Sequence, residues 1–285
     1  MDTQIVYAAW SLDEWVRYNS TSGGMFTEIA KLAIKAGYSV AGARYNDRHL
    51  VEHDLINQIE DIGLLRQSKY VQSNMKNIRA KMKDKKVLFV GAPCQAASVD
   101  ADIKIDFVCR GANHPKAYIK YLEMLEAQYK SKIQKVWFKN KTYGWHKFST
   151  RVDFENGRTY LKDRNHDLYM LGYIKYNLFI LPACYNCKFR EVHHDTDITL
   201  GDFWGVRKSL DANKGTSLVI INTKKGLELF NELNVYKAKA TIEEAMKGNW
   251  CITKHPIWNP KSDAFMELLN KHSFDECFKR EGYMK

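Results

Sequence analysis

Cys184 and Cys187 stand three apart in the stretch CYNCKF, just after Pro182. A thiol pair at this spacing can be a redox dithiol, half of a zinc site or half of an iron–sulfur site. A thioredoxin-type dithiol should open a helix directly after a strand, whereas Pro182 and the following KFREVHHD read as an irregular loop. A local zinc site would add His193 or His194, but the acids flanking HHDTD make that stretch read as solvated. Two more thiols follow apolar runs. In KVLFVGAPC a strand runs into a Gly-x-Pro turn and a helix begins near Cys94, where the helix dipole favours a thiolate. Cys109 closes IDFVCRG, a second run of the same kind. Ligands of open α/β sheets bind at the carboxyl ends of strands, so Cys94 and Cys109 are expected at one sheet edge. Four converging thiolates suit either zinc or an iron–sulfur cluster. Cys251 and Cys277 lie in polar helical surroundings and read as ordinary thiols.

Two other stretches carry binding chemistry. In STSGGMF (20–26) small hydroxyl residues and two glycines lead into a helix, whose exposed N–H groups make an anion site. Gly23 and Gly24 would let a phosphate approach the backbone, and Ser22 can cap the helix. In RQSKYVQS (66–73) Ser68, Lys69 and Tyr70 bring hydroxyl, cation and ring together, a set that suits a dinucleotide. YGWHKF places Tyr143 and His146 on a loop between strands.

The elements that must position these residues alternate up to about residue 115. IVYAAW (5–10) reads as a strand, SGGMFTEIAKLAIKAG (22–37) as a helix with Gly37 just past its end, and YSVAGARY (38–45) and HLVEHDLI as strands. A basic helix (74–85) precedes the two apolar strands. This order predicts an α/β fold with a mixed, largely parallel sheet in an N-terminal part, residues 1–115. Residues 116–240 read as an α+β part carrying the C-x-x-C loop and closing over the site. It has a helix at 115–130, strands KVWFKN, KFSTRVDF and RTYLKD, a helix at 166–177, strands DITLGDFWG and SLVIIN, and a helix at 224–233. Residues 241–285 read as a helical, polar tail.

The 285 residues are 45% hydrophobic and 13% aromatic, enough for a sizeable core, and carry a net charge of +11. The beginning of the chain shows no basic-then-apolar leader, and no apolar run approaches the roughly 18 residues a membrane helix needs. The expectation is a cytoplasmic, non-transmembrane protein with reduced thiols. Excess positive charge favours anionic partners. The basic stretches 76–86 and 139–148 each read as solvated faces, and no nucleic-acid-binding signature is present.

In order along the chain, STSGGMF, QSKYVQS, VLFVGAPCQAAS, VCRG, ACYNCKF and DITLGDFWG resemble the coenzyme F-420 hydrogenase/dehydrogenase beta-subunit family, over roughly residues 5 to 235. That family includes flavin and iron–sulfur reductases and many relatives encoded among bacterial polysaccharide genes. The resemblance implies an FAD and a 4Fe-4S cluster. Its cluster ligands would be Cys94, Cys109, Cys184 and Cys187. The flavin would lie against Thr21, Ser22, Gly23, Gly24, Ser68, Lys69 and Tyr70, with Asp202 and Trp204 walling the site. Many members carry an N-terminal ferredoxin-like segment that this sequence lacks, so a separate, acidic ferredoxin is the expected donor. Gln67 stands where the family pattern leads one to expect glycine. The expected activity is electron flow from ferredoxin through the cluster to FAD and on as hydride to an organic acceptor, such as a nucleotide-sugar or polysaccharide precursor. His146 and Tyr143 are the expected proton-handling residues. One alternative is an electron-transfer subunit reducing the deazaflavin coenzyme. Another is a basic, zinc-containing binding module without activity.

Overall fold

The computed structural model describes residues 5–192 and 194–284. Among the described residues, eleven strands form two sheets. They are β1 (Ile5–Ser11), β2 (Ser39–Tyr45), β3 (Val51–Ile56), β4 (Val87–Val90), β5 (Ile103–Phe107), β6 (Ile133–Asn140), β7 (Ser149–Phe154), β8 (Thr159–Asp163), β9 (Ile198–Asp202), β10 (Ser217–Ile221) and β11 (Val235–Ala240). The main sheet has the order β11-β1-β10-β9-β5-β4-β2-β3, and β6-β7-β8 form a separate three-stranded sheet. The fold is therefore α/β with a mixed sheet. Strands β2, β4, β5 and β9 run parallel at its centre, and the antiparallel pairs lie toward the edges.

Local chemistry explains most boundaries. Runs such as VLFV and SLVII are buried on both faces, as central strands must be. The helix Met25–Lys35 buries Met25, Ile29, Ala30 and Ala33 against β1, β2, β4 and β10. It is capped by Gly24 at φ +95° and ends before Gly37 at φ +82°. Ser22, expected as the cap, instead donates its hydroxyl to the Thr216 carbonyl at 2.7 Å. Strand β11, VYKAKA, was not anticipated. Its alternation is that of an edge strand, with lysines on the outer positions that discourage pairing with another chain.

The expected divisions at residues 115 and 240 do not separate the sheets. Strands β9, β10 and β11 return from the second part of the chain and pair with β5 and β1 of the first. The second core is a different set of residues. The helix Pro115–Tyr129, strands β6–β8 and the tail helices Ser262–Leu268 and Phe274–Arg280 enclose an aromatic cluster including Tyr121, Phe138, Tyr169, Phe179, Phe265 and Phe274. The tail is helical, as its sequence predicts, and it closes this core. Among the described residues no helix is long and apolar enough to cross a membrane.

Candidate functional site

Strands β4 and β5 pair in parallel, with Leu88 opposite Ile103, so their carboxyl ends emerge side by side. Cys94 sits in the single turn Pro93–Ala96 beyond β4, and Cys109 lies two residues beyond β5. Cys184 and Cys187 come to this edge on the turn Pro182–Asn186. That turn is held by an antiparallel bridge between Asn113 and Ile180 and by the Leu181 N–H donating to the Ala112 carbonyl at 2.9 Å. The Ala112 N–H points at Cys184 Sγ, 3.4 Å away. Gly111, at φ +128°, makes the approach possible. A Cβ there would lie 3.0 Å from Ile180 Cγ2 and 3.3 Å from Cys184 Cβ.

Cys94, Cys109 and Cys184 each feel another thiol. Burial raises Cys94, and the charges of Cys187 and Cys184 raise it further. Burial pushes Cys109 up to about 12; Arg190 pulls against this, and Cys184 and Cys94 add to it. Burial also raises Cys184, opposed by the Ala112 N–H and supported by Cys187. The expected lowering of Cys94 by a helix dipole is not found, because its helix is a single turn and desolvation outweighs so small a dipole. Among the described residues, no three Cys, His, Asp or Glu side chains close around one point as they would on a single ion. The thiols within electrostatic reach of one another, the N–H aimed at sulfur and the cradle that a Gly111 Cβ would fill fit a group held by thiolates.

The second half of the site is polar. The glycine loop and the SKY loop meet directly: Thr21 Oγ1 lies 3.1 Å from Ser68 Oγ and accepts from the Ser68 N–H at 2.9 Å. Gly23 is packed between β1 and β10. A Cβ on it would lie 2.4 Å from the Ala9 carbonyl, and its N–H donates to Ser217 Oγ. Its glycine thus serves close strand packing, where open access for a phosphate was expected. Lys69 turns inward and donates to the carbonyls of Leu65, Arg66 and Gln67 at 2.7–3.1 Å. Burial draws its pKa down to about 7. Gln67 adopts φ +77°, the conformation that a glycine would take without strain. Tyr70, at φ +46°, is buried, and desolvation followed by the charge of Asp202 raises its hydroxyl pKa.

Asp202 ends β9 opposite Ser217 of β10. Its carboxylate accepts from Lys139 Nζ and from Trp145 Nε1, the latter at 3.1 Å. Trp204 stacks on Trp145 with ring centroids 4.3 Å apart, and Lys139 Nζ lies 4.6 Å from the Trp204 ring centre. Lys139 sits at a bulge in the β6–β7 pair with φ +54°, which aims it inward. Lys141 is buried as well, donating to the carbonyls of Arg17, Ser22 and Lys214. Burial takes its pKa to about 7, against the charge of Asp202. The stretch 139–148 is therefore solvated only in part: Lys139 is 2% exposed and Lys141 is buried, whereas Tyr143, His146 and Lys147 are exposed.

His146 is exposed and binds Asp211 through Nε2 at 2.8 Å, and its ring centre is 6.2 Å from that of Trp204. Tyr143 is half exposed on the same loop. His193 lies outside the described residues. His194 is not solvated: Nδ1 lies 2.6 Å from Asp106 Oδ2, and Asp106 is fully buried. Burial opposes its charge, but the Asp106 carboxylate and Glu191 raise its pKa overall. Cys277 is in the aromatic core, whereas the Cys251 carbonyl shares the Arg190 guanidinium with the Cys109 carbonyl. Reasoning from sequence missed Lys139, Lys141, Trp145 and Arg190. The aromatic-basic alternation of KNKTYGWHKF was the only local hint.

Comparison with known proteins bears on this geometry. The sequence matches the family described as coenzyme F420 hydrogenase/dehydrogenase, C terminus of the beta subunit, over residues 84–247. The chain belongs to this family. The match covers four of the six motifs that carry the resemblance and both halves of the cysteine ring, while the glycine and SKY loops precede it. Among solved structures, the chain is similar to one from the F420-reducing NiFe hydrogenase complex of Methanosarcina barkeri, at 17% identity and a TM-score of 0.58. The likeness covers 98% of this chain and 90% of that one, and at this identity it speaks for the fold. No curated protein matches the sequence. Family membership makes the chain a relative of electron-transfer oxidoreductases.

Proposed function

We propose that the protein is an FAD- and 4Fe-4S-dependent oxidoreductase that takes electrons from an acidic ferredoxin and passes them as hydride to an organic acceptor of the nucleotide-sugar or polysaccharide-precursor class. One observation carries the reading: the thiols of Cys94, Cys109, Cys184 and Cys187 gather at one sheet edge, and Tyr70 links that edge to the polar cradle. Its carbonyl accepts from Asn113 Nδ2 at 2.8 Å, and its hydroxyl feels the charges of both Asp202 and Cys251. When bound, the cluster supplies one-electron exchange and the flavin supplies hydride chemistry.

The protein's own residues hold, orient and screen. The four cysteines would hold the cluster, with the Ala112 N–H favouring thiolate character on Cys184. Thr21, Ser68 and Tyr70 would form one wall of the flavin site, and Asp202 and Trp204 the other. Lys139 fixes the Asp202 carboxylate, and Trp145 fixes the plane of Trp204. Lys141 ties the Ser22 carbonyl to the 214–215 loop and keeps the glycine loop in place. His146, oriented by Asp211 through Nε2, is the proposed proton donor through Nδ1, with the Tyr143 hydroxyl on the same loop. The family description and the similar hydrogenase structure favour a second reading, in which the same path ends on the deazaflavin coenzyme within a larger complex.

The test is anaerobic purification with an absorption spectrum and assays for iron, sulfide, zinc and flavin on one sample. Flavin bands over a broad iron–sulfur shoulder, with about four irons per chain, support the proposal. A colourless protein with one zinc would sink it in favour of a binding module. Ferredoxin-driven reduction of sugar nucleotides, set against reduction of the deazaflavin coenzyme, separates the two redox readings.

A further inference from the structure

The cysteine loop is covered on its outer side by residues 250–259, which lie beyond the family match. This strap is tied down at several points. His255 Nε2 lies 3.0 Å from the Cys187 carbonyl and donates to it. Asn177 Nδ2 donates to the Ile257 carbonyl at 2.8 Å, and Asn259 Nδ2 to the Tyr176 carbonyl at 2.6 Å. Trp258 stands edge-on to Tyr185, between the two cysteines in sequence, with ring centroids 4.8 Å apart. Yet the strap leaves large apolar groups in water. Ile257 is 81% exposed, Trp258 41% and Trp250 40%. Exposed Ile and Trp held at fixed positions by backbone hydrogen bonds are the usual core of a protein-binding patch.

Charge identifies the partner. Of the 33 carboxylates in the chain, none falls within 107–122, 172–190 or 247–262, the three segments that surround Cys109, Cys184, Cys187 and the strap. The same segments carry Arg110, Lys175, Lys188, Arg190 and Lys254, whereas Lys261 is paired with Glu281 at 3.7 Å. An apolar centre with a predominantly basic rim is complementary to an acidic face of similar size.

We infer that the strap around Ile257 and Trp258 is the docking surface for a small acidic electron-carrier protein. This rests on the reading above, in which electrons enter at the cysteine loop. A carrier seated there reaches the Cys184–Cys187 turn across the strap, without passing through the aromatic core.

The experiment measures binding, so it does not depend on turnover. The full chain is titrated calorimetrically with an oxidised, acidic plant-type ferredoxin, at low and at moderate salt. Ile257→Glu and Lys254→Glu should each weaken binding at least tenfold, with folded-state circular dichroism and iron content unchanged. The double variant Lys83→Glu/Lys85→Glu changes more charge, but at the amino end of β4, away from the cysteines. It should bind within about twofold of the parent. Equal losses in all three variants would show non-specific charge attraction and overturn the proposal. So would undiminished binding by Ile257→Glu. A dimer of the parent that Ile257→Glu dissolves, without change in ferredoxin affinity, would assign the patch to a second copy instead. If the purified protein holds no iron, the functional reading fails, while the titration still decides the surface.

Discussion

The two halves of the site are built on different principles. The polar cradle is already satisfied by the chain itself. Thr21 holds Ser68, Lys139 and Trp145 hold Asp202, Lys141 holds three carbonyls, and Lys69 holds three more. The cysteine edge is the reverse. Four thiols from three separate segments are brought together, and burial and mutual repulsion raise the pKa values of Cys94, Cys109 and Cys184. One half is preorganised by hydrogen bonds, whereas in the other, on the proposed reading, a bound cationic group would favour the charged form of the thiols. Stability should therefore depend on the cradle, and cofactor content on the thiols.

The largest expected effect separates them most cleanly. Cys184→Ser or Cys187→Ser should abolish bound iron and sulfide while changing the melting temperature of the metal-free protein by only a few degrees. If iron is retained, these cysteines are not ligands. Next is Asp202→Asn, which removes the partner of buried Lys139. Stranding a buried ammonium costs about 3–5 kcal/mol, so the denaturant midpoint should fall sharply. Asp202→Asn combined with Lys139→Met should recover much of this loss, and no recovery would mean that Asp202 acts through other contacts.

Two histidines sharpen the contrast through pH. Burial depresses His53 to about 4, with Lys69 adding to this and the Val90 carbonyl opposing it. The unfolded chain takes up this proton near pH 6.5, so stability is full above that pH and declines as pH falls toward 4. His194 is raised by Asp106 and Glu191 against burial, so its contribution is full below about 6.5 and is lost as pH rises through its folded pKa. Urea midpoints from pH 5 to 8 should lose slope at the acid end in His53→Gln and at the alkaline end in His194→Gln. Matching profiles for parent and variants would refute both assignments. The smallest effect is that of Thr21→Val, which removes one side-chain link between the loops and should cost about 1 kcal/mol, together with a weaker flavin affinity.

Local signals made the cysteine half legible. Apolar runs ending in Gly-x-Pro or in Cys-Arg-Gly mark strand ends, and a proline marks the C-x-x-C turn. All of these act over a few residues. Burial of Lys139 was hidden because it depends on Asp202, 63 residues away in sequence. His194 was misread for the same reason: Asp106, which gives it a partner, lies 88 residues away. Flanking acids made its loop look wet. The interleaving of strands across residue 115 left no mark in composition, since β10 reads as a buried strand whatever it pairs with.

The place of β1 has a consequence for synthesis on the ribosome. It lies between β10 and β11, so the earliest described strand has both its neighbours among the latest. Until residue 221 has emerged, Val6, Ala8 and Ala9 have no neighbouring strand to pair with, and the glycine loop that follows them cannot be stitched to Ser217. A nascent chain of this topology waits with its first hydrophobic strand uncovered, a long-range pairing that slows folding and calls for a chaperone's shelter.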